Sequence, residues 1–151
     1  MSDDKKYMRF ALEEANKAFA IEEVPIGAVV IYDNEVIGRG YNLRESENDP
    51  TAHAEIIAIR EAAAAISSWR LADCTLYVTI EPCPMCAGAL LQARADRVVY
   101  GADDPKAGAV NSLYNLLDDE RFNHQVEVKK GVLAEECREI IKKFFRCLRE
   151  N

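Results

Sequence analysis

The chain has 151 residues, 49% of them apolar and 30% charged, a balance that supports a folded core and excludes a disordered polyelectrolyte. Nineteen Lys and Arg against 26 Asp and Glu leave a net charge of −7, which disfavours a general polyanion binder that works by neutralising phosphates. The longest apolar runs, such as Gly27 to Tyr32, fall well short of the ~20 residues that cross a bilayer.

In chain order, Asp3 to Ala20 places Met8, Ala11, Leu12, Ala15 and Phe19 at spacings of three and four, an amphipathic helix with Ser2 as its cap. Gly27 to Tyr32, then Asp33-Asn34, then Glu35 to Tyr41 reads as an antiparallel hairpin. The polar stretch Leu43 to Pro50 leads into an alanine-rich helix from about Ala52 to Ile66. Cys74 to Ile80 is β-rich and Pro82 stops it, while Pro84 suits the first turn of a helix running to about Ala95. A strand at Arg97 to Gly101, a polar loop at Asp103 to Gly108, a short helix at Ser112 to Leu117, a strand at Gln125 to Lys129 and an amphipathic helix at Ala134 to Leu148 follow. Parallel strands joined by helices need both sheet faces covered. The expected fold is therefore α/β: one domain over residues 1–151, a three-layer helix/sheet/helix sandwich on a five-stranded mixed sheet whose first hairpin is antiparallel.

Met1-Ser2-Asp3-Asp4-Lys5-Lys6 lacks the positive-then-apolar order of a signal peptide, and five cysteines, an odd number, do not suit a disulfide framework. A cytoplasmic protein away from the membrane is expected. The net charge also hides an asymmetry: Lys129 to Asn151 holds seven basic residues against four acidic ones. A cationic tail on an acidic body permits a local nucleic-acid contact or a solvated helix face.

Three side chains carry metal chemistry. They are His53 in Thr51-Ala52-His53-Ala54-Glu55, and Cys83 and Cys86 in Glu81-Pro82-Cys83-Pro84-Met85-Cys86. Two thiolates and an imidazole match the softness of Zn²⁺ and leave a fourth tetrahedral position for water, the arrangement of a catalytic site. The charges of ion and thiolates cancel, so the site can hold hydroxide, with a water pKa of ~7 in favourable cases. His53 and Glu55 are two residues apart, ~200° around a helix, so both reach one site only if it lies off the helix N-terminus. Glu55 is then placed to move protons and not to ligate. Taken alone, Cys-x-x-Cys reads as a redox dithiol, His53 as a buried imidazole and Glu55 as a helix-start charge; the combined spacing favours the metal site. Cys74, Cys137 and Cys147 read as core packing, and His124 as a surface or RNA-contact residue, with a fourth metal ligand as its alternative.

His53-Ala54-Glu55 followed by Pro82-Cys83-Pro84-Met85-Cys86 resembles the zinc-dependent nucleobase deaminase signature, whose fold is cytidine deaminase-like. Val24-Pro25-Ile26-Gly27, Asn48-Asp49-Pro50-Thr51-Ala52-His53, Arg97-Val98-Val99-Tyr100-Gly101-Ala102, Asn123-His124-Gln125-Val126 and Gly131-Val132-Leu133 extend the likeness to the bacterial family that converts the anticodon wobble adenosine of tRNA to inosine. The resemblance implies one zinc ion per chain on His53, Cys83 and Cys86, zinc-activated water attacking C6 of adenine, and Glu55 as proton shuttle. It implies that Ile26 packs on the base, that Asn42 bonds the target nucleoside, and that backbone groups near Ala54 and Glu81 read the ring and the attacking hydroxyl. Asp104 would contact the flanking ribose-phosphate, while Asn123, His124, Phe145 and Arg149 would hold neighbouring nucleotides of a tRNA anticodon stem-loop. A homodimer is implied as well, and the alanines from Ala62 to Ala65 would allow close helix approach. Two alternatives stay open: a free-base guanine or cytosine deaminase, and a zinc-structured module without turnover.

Overall fold

Alternation along the strands decides the layers. In the computed structural model, which describes residues 3–150, β1 (Gly27–Tyr32) turns Ala28 and Val30 to one face of a sheet and Val29 and Ile31 to the other. β3 (Thr75–Ile80) divides Leu76 and Val78 from Tyr77 in the same way, and β4 (Arg97–Ala102) divides Val98 and Tyr100 from Val99. One face is covered by α1 (Asp4–Ala20) and α4 (Ala134–Glu150), through Met8, Ala11 and Cys137. The other is covered by α2 (Ala54–Ala65) and α3 (Pro84–Gln92), through Ala54, Ala58, Ala62, Ala87 and Leu90. With β2 (Glu35–Tyr41) and β5 (Glu127–Lys130), the described residues hold a five-stranded sheet in the order β2-β1-β3-β4-β5. The expected helix/sheet/helix sandwich is the observed one.

The sheet is mixed: β1 pairs antiparallel with both β2 and β3, and β3-β4 and β4-β5 are parallel. The β1-β2 turn puts Asp33 and Asn34 at φ 51° and 63°, the left-handed pair that a two-residue hairpin requires and that Asp and Asn tolerate. On β2, Gly38 and Gly40 let α2 approach closely, since a Cβ on either would strike a carbonyl of Ala58 or Ala54. Ala62 is used here too, buried against Gly38, so part of the alanine run serves packing within the chain and not helix approach between chains.

Several expectations are corrected: α2 begins at Ala54 and not about Ala52, and β5 spans Glu127–Lys130 and not Gln125 to Lys129. Ser2 lies outside the described residues, and Asp3 takes the cap position of α1 without a side-chain cap bond. α3 ends at Gln92 and not Ala95, because Arg94 turns to φ 58° and the Ala95 N–H closes back on the Leu90 carbonyl at 3.1 Å. Ser112 to Leu117 forms turns in place of a helix: Leu113 N bonds Gly108 O and Leu116 N bonds Ala109 O, where an α-helical ladder would bond each to the residue four before it. No helix among the described residues is long and apolar enough to cross a membrane.

Candidate metal centre and active site

Two helix starts converge on one point. His53 is the N-cap of α2, at φ −80° and ψ 152°, and Cys83 is the N-cap of α3, at φ −77° and ψ 175°. Local chemistry enforces both starts. Asp49 Oδ1 accepts the Thr51 N–H at 2.8 Å and the Thr51 hydroxyl at 2.7 Å, which shapes the turn leading to His53. Pro84 supplies the fixed φ of a first helical residue after Cys83. Because His53 stands outside the helix and Glu55 at its second residue, the ~200° that would separate them inside a helix does not apply.

The Nδ1 of His53 lies 3.6 Å from the Sγ of Cys83 and 3.6 Å from the Sγ of Cys86. The three donor atoms are all within 4.8 Å of one another. A tetrahedral ion with bonds of ~2.05 Å to nitrogen and ~2.3 Å to sulfur needs an N···S edge of ~3.6 Å. The donor set therefore fits Zn²⁺ in type and in spacing. Among the described residues no other His, Cys, Asp or Glu joins this cluster, so one tetrahedral corner is free of protein donors.

Electrostatics agree with that fit. A hydrogen bond from Cys86, and a further one from His53, pull the Cys83 thiol down to about 4, and the bond to Cys83 raises His53. The same contact and burial push Cys86 upward. Glu55 is 4% exposed, and burial pushes its carboxyl up to about 7.

A pocket of about 220 Å³ opens above these groups, lined by His53, Glu55 and Cys83 at its floor and by Ile26, Asn42 and Asp104 on its walls. Ala54 lines it from the first turn of α2, where its N–H has no intrahelical acceptor. The Asn42 amide donates to Val24 O at 3.3 Å and accepts the Arg44 N–H at 3.1 Å, which leaves one of its N–H donors for a ligand. Asp104 closes its own turn, accepting the N–H groups of Lys106 and Ala107. Glu81 also borders the pocket, but its N–H goes to Ala102 O at 2.9 Å and its carboxylate faces away, into the loop that follows β4.

A second, larger groove of about 450 Å³ continues from the first over Ile26, Ile80 and Asp104. Phe145 lines it, 42% exposed, together with Lys106, Arg138 and Lys142. Arg149 follows Phe145 by four residues in α4, on the same stripe and exposed. Sequence reading missed Arg138 and Lys142, although their spacing of four and then three to Phe145 was a signal for them. Nothing in the sequence marked Arg44 as a pocket residue.

Asn123 and His124 are not brought to this pocket within one chain. His124 Nε2 contacts Ala95 O at 2.7 Å, before β4 begins, whereas Glu81 and Asp104 lie past the other ends of β3 and β4. Six residues of strand separate the two ends, ~20 Å.

Three thiolate and imidazole donors, a free corner and a buried carboxyl at the floor of a nucleobase-sized pocket define a metal-dependent hydrolytic deaminase. A family model described as MafB19-like deaminase matches residues 2–149. The chain is 54% identical over 151 residues to the tRNA-specific adenosine deaminase of Bacillus subtilis, covering all of this chain and 94% of that one. It superimposes with a TM-score of 0.86 and 46% identity on a structure from studies of A-to-I editing by tRNA:A34 deaminases, covering 89% of this chain and 98% of the other. A guanine deaminase from Nitrosomonas europaea gives a TM-score of 0.82 at 23% identity, over 95% of this chain and 85% of that one, and so shares the fold. The chain belongs to the MafB19-like deaminase family, among relatives that are tRNA-specific adenosine deaminases.

Proposed function

We propose that this protein converts the wobble adenosine of a tRNA anticodon to inosine by hydrolytic deamination. The observation that carries the reading is Glu55, buried beside His53, Cys83 and Cys86 at the floor of a pocket whose wall continues into the basic and aromatic groove along α4. His53, Cys83 and Cys86 would hold a zinc ion, which when bound would bring water to nucleophilic strength near neutral pH.

The chain's own residues do the rest. Ile26 packs on the base, and Asn42 with the backbone at Ala54 orients it through donors that the fold leaves unpaired. Glu55, in a site that excludes bulk water, takes a proton from the attacking water and gives it to the ring nitrogen, then takes the remaining proton from the hydroxyl now on C6 and delivers it to the amine, which leaves as ammonia. Its raised carboxyl suits a group that must both accept and donate. Asp104, Phe145 and Arg149 hold the flanking nucleotides. An anticodon-loop base is already unpaired, so splaying it into the pocket costs less than extracting it from a duplex.

Asn123 and His124 serve the RNA only from a second copy of the chain, which is part of this reading. Trp69, Leu113 and Tyr114 are more than half exposed, large apolar side chains of the kind an interface buries. The site of action is the cytoplasm, where tRNA and reduced thiols coexist. Incubation with an anticodon stem-loop carrying adenosine at the wobble position is expected to release inosine. Turnover of free guanine or cytosine with none on the RNA would reverse the choice of substrate, and light scattering at micromolar concentration tests the dimer.

A further inference from the structure

Two carboxylates next to the site are buried and make no salt bridge to Lys or Arg among the described residues, although the charge of Arg44 acts on Glu23. Glu23 is 2% exposed and Glu81 is 3% exposed. Burying a charge this deeply is costly unless donors surround it. All the donors come from the two loops that wall the pocket.

Glu23 precedes Val24 and accepts the N–H groups of Glu45, at 3.3 Å, and Ser46, with the Ser46 hydroxyl at 2.6 Å. That loop carries Arg44 into the pocket. Glu81 follows β3. Its Oε1 accepts the Asp104 N–H at 2.9 Å and the Ser112 hydroxyl. Its Oε2 accepts the N–H groups of Val110, Asn111 and Ser112 at 3.1, 2.7 and 2.8 Å. Between these attachment points lies Gly108, where a Cβ would strike the Glu81 carboxylate itself, so the backbone wraps the carboxylate as closely as it can. The same loop places Asp104 and Ala107 on the pocket wall.

We propose that Glu23 and Glu81 are positioning residues that fix, through these hydrogen bonds, the Arg44–Ser46 and Asp104–Ser112 loops as the walls that hold the substrate. Both carboxylates face the loops that donate to them and not the reacting atoms. Both oxygens of Glu81 are filled by donors, so a neutral amide of the same shape cannot replace it. In the better of its two orientations a glutamine turns its NH₂ to the Oε1 side, where the Ser112 hydroxyl can rotate to accept but the Asp104 N–H is left facing a donor. The loop is thereby released at the pocket residue. The proposal rests on the pocket being the nucleobase site, and its test separates the two.

Glu81→Gln and Glu23→Gln are compared with the zinc-loaded wild type by amide hydrogen exchange, metal content and steady-state deamination of an anticodon stem-loop. Exchange is expected to quicken at least about tenfold within residues 104–112 for the first variant and 44–46 for the second, with β1 and zinc content unchanged. KM for the RNA is expected to rise about tenfold while kcat at saturating RNA stays within about threefold, the split of a lost substrate wall. Wild-type exchange in those segments, or a fall in kcat with KM unmoved, would overturn the proposal. Should Glu81→Gln not fold, Ser112→Ala withdraws one donor from the same carboxylate and is expected to give the same pattern in smaller degree; wild-type exchange and KM there would equally overturn it. A wild-type enzyme that leaves the stem-loop unmodified would defeat the functional reading, while the exchange data judge the anchoring by themselves.

Discussion

Gly40 of β2 and Ala54 of α2 meet with no side chain between them: a Cβ on Gly40 would collide with the Ala54 carbonyl. Ala54 immediately follows the ligand His53, so this contact sets the height of the metal-binding helix start above the sheet. The Ala58 N–H at 2.7 Å and the Ile57 Cβ at 2.9 Å from the same point leave no direction in which an added methyl could relax. Gly40→Ala is expected to cost about 2–3 kcal/mol by overpacking. Zinc occupancy should fall with it, because α2 must lift. Thermal unfolding with metal analysis checks both, and a variant as stable and as metal-loaded as the wild type would contradict the packing.

The metal set and the proton carrier separate by their readouts. Cys83→Ser is expected to lose most bound zinc, since a hydroxyl stays protonated where a thiolate is needed. Glu55→Gln keeps its shape and the ligands, so zinc content should stay near one per chain while the rate drops about 10²-fold or more. Elemental analysis alongside inosine formation reads the pair. Undiminished zinc in the first variant, or an undiminished rate in the second, would remove that residue from its role.

Asp4 ties the first turn of α1 to three strands. It accepts the Tyr77 hydroxyl at 2.6 Å on β3, two guanidinium N–H groups of Arg97 at 3.2 and 3.0 Å on β4, and Lys129 at 2.7 Å on β5. Against the cost of its burial, these bonds hold its carboxyl far below the usual carboxylate range. A group depressed in the folded state stabilises the fold at every pH above its unfolded value, ~3.9, and loses that contribution as pH falls toward the folded value. Asp4→Asn should therefore cost about 2–3 kcal/mol near neutrality, reduced from the full buried-pair cost because Lys129 is partly exposed. The gap in denaturant midpoints between variant and wild type should be constant from neutral pH to about pH 5 and narrow below about pH 4. A gap that widened with acid would refute the assignment.

The groove along α4 makes a salt-dependent prediction. Arg138 and Lys142 flank Phe145 on its wall, and neither belongs to the pocket that holds Glu55. Arg138→Ala and Lys142→Ala should each weaken stem-loop binding and reduce the slope of log affinity against log salt by up to about 1. Phe145→Ala should weaken binding with the slope unchanged, since a stacked base carries no counterion. Titrations at several salt concentrations distinguish these, and identical slopes in all three variants would place the RNA elsewhere.

Much of the fold was legible because it is encoded locally. The hairpin from Gly27 to Tyr41 follows from two β-prone runs on either side of Asp33-Asn34, two residues that accept positive φ. The start of α3 follows from Pro84, whereas α2 begins at Ala54, two residues later than expected, so that His53 caps it from outside. The absent helix at Ser112 to Leu117 was not legible, since the Leu116 amide that such a helix would bond to Ser112 goes to Ala109 instead. Residue propensity reflects only neighbours, whereas the loop before it is held by Glu81, some thirty residues earlier. The roles of Glu23 and Glu81 were hidden for the same reason, as acidic side chains whose burial no local pattern announces.

By itself the sequence determined donor chemistry, periodicity and chain punctuation: a His and two Cys suited to zinc, a glutamate two residues past the His, strands read as β-rich runs and helices by threes and fours. Those are properties of residue type and short-range sterics. Tertiary structure alone decided which distant pieces share a point in space. It set the strand order β2-β1-β3-β4-β5, brought His53 within 3.6 Å of both cysteine sulfurs, and left Asn123 and His124 at the far end of the sheet. Contacts of that range depend on how closely layers can pack, and here the closeness comes from glycine against alanine between β2 and α2.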